Sequence, residues 1–208
     1  MRPRHGMTLA ELLIALAITS VVGAGVVAMT EAVARVLDDG RSERERTIAS
    51  AVAATRLSSI VAPSSCALEI DEDTVVLWQG DTLRDRQVQA TELGWITFDE
   101  SAGELRFEWV EFPDSWSARD RAAADRTCSL HENWNLVRNE YQQTGHLCNT
   151  VLLDGLLDVE PAIADEERSD PLAVRRLAWR LSWTGEKSVD STTVVAGALH
   201  LHSLPEND

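Results

Sequence analysis

The sequence predicts an α+β fold in which one long N-terminal helix packs on an antiparallel β-sheet domain. The helix is expected because an uninterrupted apolar segment near the N-terminus passes into a charged, periodic segment, and the sheet because later residues alternate between apolar and polar. We expect four parts along the chain: a basic leader over 1–6, a transmembrane helix over 7–30, an amphipathic continuation of that helix over 31–62, and a globular β-rich domain over 63–208 with an insertion at about 113–147.

The apolar segment is long enough to cross a membrane. From Leu12 to Met29 there are 18 residues without a charge or a proline. A helix of that length measures about 27 Å, close to the thickness of the hydrocarbon layer, about 30 Å. Arg2 and Arg4 precede the segment and acidic residues follow it, so the N-terminus is expected in the cytoplasm and the globular domain outside.

Glu11 is the only ionisable residue between Met7 and Met29. A carboxylate within the bilayer costs about 2.5 to 3.5 kcal/mol on insertion scales, so such residues are usually paired and functional. Two other interpretations of this N-terminus stay open. One is a secretory signal peptide with a cut site near Ala24 or Ala28. The other is a plain membrane anchor for an unrelated envelope domain or enzyme.

The segment GMTLAELLIAL, residues 6–16, resembles the class III signal of type IV prepilins and type II secretion pseudopilins. The resemblance rests on a glycine, a carboxylate and a membrane span in fixed order. It implies a pilin-like fold and cleavage after Gly6 by prepilin peptidase, which leaves Met7 as the N-methylated first residue. Glu11 matches the glutamate that is fifth in the mature chains of this family.

The new amine of Met7 would lie at a helix start, where the aligned peptide dipoles add about half a positive charge. In a stack of subunits, Glu11 of one chain would neutralise the Met7 amine of its neighbour. We therefore expect Glu11 to pair with that amine and to set the register of assembly.

The second half of the helix is expected to continue to about Val61 and to end at Pro63. A charged collar over 38–46 separates it from the membrane. Leu57, Ile60 and Val61 form an apolar face for contact with the globular domain. The helix also carries an apolar stripe with spacings of three and four residues or their multiples: Val33, Val36, Leu37, Ile48, Ala51, Val52 and Thr55.

The globular domain is expected to contain two hairpins, 68–70 with 74–79 and 95–98 with 105–110. Leu177, Trp179, Leu181 and Trp183 share one face of a later strand, and 192–201 forms the last strand. The polar segment 115–141 is expected to hold only short helices near Ala122. Four of the seven tryptophans are expected in the core, namely Trp95, Trp109, Trp179 and Trp183, whereas Trp116 and Trp134 are candidates for contact with a neighbouring subunit.

The three cysteines allow more than one interpretation. A disulfide between Cys128 and Cys148 would stabilise the fold by about 3 kcal/mol. The same cysteines, with His131 and His146, supply the ligand types of a structural zinc site, although the spacing of His146 and Cys148 is unusual for zinc. Free buried thiols are the third alternative.

Enzymatic motifs fail in this sequence. His131 and Glu132 begin the pattern of zinc metalloproteases, but Asn135 stands where the second histidine is required. There is neither a nucleophile elbow nor a glycine-rich phosphate loop. The formal net charge of −15 also disfavours nonspecific binding of nucleic acid, which needs a basic face.

The expected function is that of a minor pilin or pseudopilin without catalysis or a cofactor, anchored once in the inner (cytoplasmic) membrane. The helix start and the two-part β domain are most similar to those of pseudopilin J and the W-type minor pilins. The resemblance implies three kinds of partner besides the membrane: prepilin peptidase, other pilins or pseudopilins, and an inner-membrane assembly platform.

Overall fold

The computed structural model describes residues 47–164, 168–184, 189–199 and 204–206, together with Ser20, Met29, Glu31 and Arg44, which are helical. The predicted leader, the transmembrane helix and most of its amphipathic continuation therefore lie outside the described residues. Within the described ranges, no helix is both long enough and apolar enough to cross a membrane. The chain divides into two units, Met1–Ile48 and Ala49–Asp208, and the second contains the sheets.

The first helix, α1, is described over 47–61 and ends before Pro63, as predicted. Ala53, Leu57 and Val61 are fully buried and follow one another at four-residue spacing, so they form the face that packs on the domain. Leu57 and Val61 were predicted on this face, and that prediction is confirmed.

The apolar stripe predicted along the same helix does not make this contact. Ile48 is 57% exposed and Val52 is 39% exposed, and Ala51 and Thr55 are exposed as well. At 3.6 residues per turn, these positions lie roughly opposite the buried face of α1. The helix therefore has two apolar faces, and the domain covers the one that holds Leu57.

The remaining elements form two larger antiparallel sheets, a two-stranded ribbon and two further helices. In chain order they are β1 Cys66–Ile70, β2 Thr74–Trp78, β3 Val88–Gln89, β4 Leu93–Asp99, β5 Glu104–Val110, α2 Ala118–Ala124, β6 Thr127–Cys128, α3 Trp134–Gln143, β7 Leu147–Leu153, β8 Asp158–Pro161, β9 Arg176–Thr184 and β10 Val189–Ala198. The five-stranded sheet has the order β1-β2-β4-β5-β7, the three-stranded sheet the order β10-β9-β8, and β3 pairs with β6. Both predicted hairpins, β1–β2 and β4–β5, are confirmed.

The five-stranded sheet has an apolar core on each face. On β2, Val75 and Leu77 point to a core that contains α1 and the three-stranded sheet, whereas Val76 and Trp78 point to a second core that contains α3. All five residues of β2 are buried for this reason. A strand covered on both faces is apolar throughout, without the alternation of a half-exposed strand.

The three-stranded sheet contributes the predicted apolar face of β9. Leu177, Trp179 and Leu181 are buried, and Trp183 is partly buried against the same core. Ser182, on the opposite face of β9, is buried as well, and its ladder partners are Asp158 and Ser191.

The insertion is more ordered than the sequence indicated, because α3 was not predicted. Its buried residues Trp134, Val137 and Tyr141 recur at spacings of three and four, and the side chain of Asn133 caps it by accepting from the Leu136 amide at 3.1 Å. The burial of Trp134 contradicts its interpretation as a contact residue for a neighbouring subunit.

An ion pair joins α3 to the five-stranded sheet. Arg138 donates two hydrogen bonds to Glu108 of β5, one from Nη2 to Oε1 at 2.9 Å and one from Nε to Oε2. Glu108 is only 4% exposed, and the side chain of Arg138 is 25% exposed. The hydrogen bond to Glu108 raises the pKa of Arg138, and the two parallel hydrogen bonds fix the helix on the sheet.

Candidate functional site

The predicted processing and assembly residues, Gly6, Met7 and Glu11, lie outside the described residues. Cleavage after Gly6 and the pairing of Glu11 with the Met7 amine therefore stay predictions. The described candidates for function belong to the globular unit, and they are its cysteines, its exposed strand edge and its charged surfaces.

All three cysteines lie within the described ranges and are free thiols. Cys128 is buried in the second core, its Sγ lies 3.7 Å from the Arg126 carbonyl oxygen, and burial raises its pKa to about 11. Burial also raises the pKa of the Cys66 thiol to about 12. Thiols of this kind are poor nucleophiles because the thiolate is scarcely populated at neutral pH.

Cys148 lies in a different environment from Cys128, on β7 opposite Trp109, and is half-buried beside Glu111. Burial is the main cause that raises its pKa, and a hydrogen bond to Glu111 raises it further. The structure does not bring Cys128 and Cys148 together as a disulfide, since one thiol is enclosed in the second core and the other lies on the sheet edge beside a carboxylate.

The structure also does not bring the four candidate zinc ligands together. His146 packs against aromatic rings, with centroid distances of 5.4 Å to Phe112 and 4.9 Å to Trp116, and His131 is exposed. In the part of the chain that the structure describes, no three His, Cys, Asp or Glu side chains come close enough to hold a metal ion. Cys128, His131, His146 and Cys148 therefore do not form a common ligand set. Trp116 is engaged with Phe112, on which it stacks at 5.5 Å.

Strand β7 is an edge of the five-stranded sheet. The Glu111 amide donates to the His146 carbonyl at 2.9 Å, which makes these two residues a hydrogen-bonded pair at the start of the β5–β7 ladder. Because such pairs alternate along an antiparallel ladder, Cys148 and Thr150 direct their backbone groups toward β5. The backbone groups of Leu147, Asn149 and Val151 point away from the sheet.

A groove of about 580 Å³ adjoins this edge on the face that carries α1. Its floor includes Phe107 and Trp109, whose rings stack with centroids 5.6 Å apart. Trp109 was predicted in the core, but it is only half-buried, and its Nε1 donates to Glu111 at 3.1 Å. Phe107 lies directly over Gly94, where an added Cβ would approach the ring to 2.6 Å. The glycine thus lets the aromatic ring lie flat on the sheet.

Arg56 of α1 closes one end of the groove. Its Nη1 donates to the Leu152 carbonyl at 2.6 Å and lies 3.4 Å from the Val151 carbonyl. The contacts of Arg56 within the described residues are to carbonyl oxygens, and none is to a carboxylate. Among the described residues, its positive charge therefore has no carboxylate partner at the Leu152 end of the edge.

Carboxylates surround a second groove, of about 500 Å³, at the end of the sheet where the β1–β2 and β4–β5 turns lie. Its acidic lining residues are Asp71, Glu72, Asp73, Glu100, Asp158 and Glu160. Burial and the nearby charge of Asp71 raise the pKa of Glu69 on the adjoining strand. A groove with this lining would repel phosphate groups.

The chain matches the family model of the prokaryotic N-terminal methylation motif over residues 1–27. The match includes Gly6, Met7 and Glu11. It supports a pilin or pseudopilin that prepilin peptidase processes and that assembles with other pilins. Neither a curated protein nor a solved structure matches the chain significantly.

Proposed function

We propose that this chain is a minor subunit of a type II secretion pseudopilus or a type IV pilus. In this proposal prepilin peptidase cuts between Gly6 and Met7, and the mature chain enters a filament or its tip complex from the inner membrane. The observation that carries the proposal is the methylation motif over residues 1–27, in which a glycine, a carboxylate and an apolar segment stand in order.

The chemistry of the N-terminus supports an assembly role for Glu11. Its carboxylate lies four residues from the Met7 amine that cleavage would create, within an otherwise apolar segment. Either charge alone would be costly in that medium, and pairing between neighbouring subunits lowers the cost of both. The pairing would fix the axial position of each subunit relative to its neighbour.

The architecture supports the narrower assignment to pseudopilin J or the W-type minor pilins. Helix α1 packs on a β domain in two parts, one with five strands and one with three. Such a subunit would contact other pilins or pseudopilins and an inner-membrane assembly platform. The insertion with α2 and α3 would then present a surface particular to this subunit.

We propose no catalytic role for the domain. The enclosed thiols of Cys66 and Cys128 have raised pKa values, which is the opposite of what a nucleophilic cysteine requires. No cofactor is part of the proposal. An anchored envelope domain or enzyme unrelated to pilins is the alternative, and it would leave the methylation motif without a purpose.

Intact mass spectrometry of the native chain tests the proposal. In cells with prepilin peptidase we expect a chain that starts at Met7 and carries one added methyl group, and in cells without the peptidase a chain that starts at Met1. Glu11→Leu should be cleaved normally but enter filaments at a much lower level than wild type. Retention of Met1 in the presence of the peptidase, or a terminus downstream of Met29, would overturn the proposal.

A further inference from the structure

Among the described residues, the stretch of β7 from Leu147 to Val151 lacks the devices with which proteins usually block strand addition. Its sequence, LCNTVLL, has neither a charged residue nor a proline, and it runs for seven residues. Edge strands of this length are normally protected by charge, proline, a bulge or a covering element. The exposed side chains of Asn149, Thr150 and Val151 show that the middle of the strand is open.

The other three sheet edges carry such devices. Strand β1 has a register shift between Ala67 and Glu69, and β10 has one between Val195 and Gly197. The short strand β8 contains Asp158, Glu160 and Pro161. Among the edges of the two larger sheets, β7 differs because its irregularity lies at one end, at Leu152, where Arg56 binds the carbonyl. The open part is the stretch from Leu147 to Val151.

We propose that β7 accepts an extended segment of a different filament subunit as a sixth strand of the sheet. Leu147 and Asn149 supply outward amides and carbonyls for a ladder, and Val151 supplies its amide, because its carbonyl already accepts from Arg56. Such a ladder gives affinity in strand addition. The segment would place an apolar side chain against the stacked rings of Phe107 and Trp109 in the floor of the groove. It would also bring a carboxylate to Arg56, whose described contacts are to carbonyl oxygens only.

A second copy of this chain fits the edge poorly. Antiparallel pairing of β7 with its own copy requires a twofold axis perpendicular to the sheet. Such a copy would bring no carboxylate to Arg56, because its own β7 has the sequence LCNTVLL. The inference rests on the proposed function for this step, because it takes the partner to be another subunit of the same filament.

The test uses the full-length chain in cells that produce the neighbouring pilin-like subunits. A photoreactive benzoylphenylalanine replaces Thr150, whose side chain is exposed beside the groove, or Leu136, which is exposed on α3 as the matched control position. We expect an adduct with a different pilin-like chain from position 150 and a much weaker one from position 136.

Two pairs of variants distinguish loss of a backbone hydrogen bond or of the positive charge from mere loss of a side chain. Asn149→Pro removes an outward amide that β5 does not use, whereas Asn149→Ala keeps that amide. Arg56→Glu reverses the charge at the end of the edge, and Arg56→Lys keeps it. Loss of one or two hydrogen bonds or of a charge pair should lower adduct yield about tenfold for Asn149→Pro and Arg56→Glu. The alanine and lysine variants should stay near the wild-type yield.

Several results would overturn the inference. They are an adduct made only of two copies of this chain, equal yields from positions 150 and 136, equal losses for Asn149→Pro and Asn149→Ala, or no adduct at all. If protease resistance shows that the proline variant is misfolded, the comparison of Arg56→Glu with Arg56→Lys decides the matter. Intact mass from the same cells separates the two levels of inference. A chain cleaved after Gly6 without an adduct contradicts strand addition alone, whereas an uncleaved chain contradicts the proposed function.

Discussion

The ion pair between Glu108 and Arg138 is expected to contribute strongly to stability, because it is the charged link between α3 and the sheet. Complete removal of one partner from a fully buried pair costs about 3 to 5 kcal/mol. Arg138 keeps a quarter of its side chain exposed, so water solvates it partly when Glu108 is lost. We therefore expect Glu108→Gln to lower the free energy of unfolding by about 2 to 3 kcal/mol.

The measurement is urea denaturation of the full chain in mild detergent, followed by tryptophan fluorescence. For a chain of this size, a loss of that order corresponds to a fall in Tm of roughly 5 to 10 °C. Hydrogen exchange should show the loss of protection first in α3, where the other anchors are Trp134, Val137 and Tyr141.

A double-mutant cycle tests the reasoning more sharply than a single variant. Glu108→Gln, Arg138→Met and their combination should give a coupling energy of about 1 to 3 kcal/mol, with the double variant more stable than the sum of the single losses predicts. If the two losses simply add, the charges do not depend on each other and the assigned role of the pair is refuted. Arg180→Met is a matched control, because Arg180 pairs with Glu160 at 3.2 Å on the exposed surface. This variant should lower the free energy of unfolding by less than about 1 kcal/mol.

Three further predictions concern the remaining core and surface. Gly94→Ala should destabilise the domain by about 1 to 3 kcal/mol, since its new Cβ would meet the Phe107 ring at 2.6 Å, and the loss should largely vanish in a Phe107→Ala background. Glu69→Gln should stabilise the domain slightly at neutral pH, by less than about 1 kcal/mol. Because the pKa of Glu69 is raised in the folded state, this residue favours folding below the ordinary pKa of a glutamate. That contribution to stability is lost as the pH rises through the pKa of the folded state. Equal stability of the variant and wild type from pH 4 to pH 8 would contradict the raised pKa. Iodoacetamide at pH 8 should modify Cys148 before Cys66, because Cys66 has a pKa of about 12 and is fully enclosed; mass spectrometry that finds Cys66 modified first in the folded chain would show that the core is open.

The sequence predicted those parts of the fold that a local pattern marks. The hairpins β1–β2 and β4–β5 were visible because short runs of strand-forming residues flank polar turns, and the apolar face of β9 was visible because its residues alternate. The end of α1 was visible from Pro63. The face of α1 that meets the domain was also visible, because Leu57 and Val61 form an apolar face separate from the stripe that holds Ile48 and Val52.

Other features could not be read from local pattern. Helix α3 contains mostly polar residues, and the spacing of Trp134, Val137 and Tyr141 with the cap at Asn133 was the available signal. The ion pair of Glu108 and Arg138 joins residues 30 positions apart, so no spacing rule predicts it. Free thiols could not be distinguished from a disulfide or a zinc site, because that choice depends on which strands bring Cys128 and Cys148 together.

The double coverage of strand β2 makes the segment between β5 and β7 indispensable. Trp78 and Trp95 lie on the side of the sheet that this segment shelters, and both are fully buried. A chain shortened there would leave two indole rings facing water and would be expected to aggregate. This polar segment thus supplies one side of the second core, and its removal would expose the face of β2 that carries Val76 and Trp78.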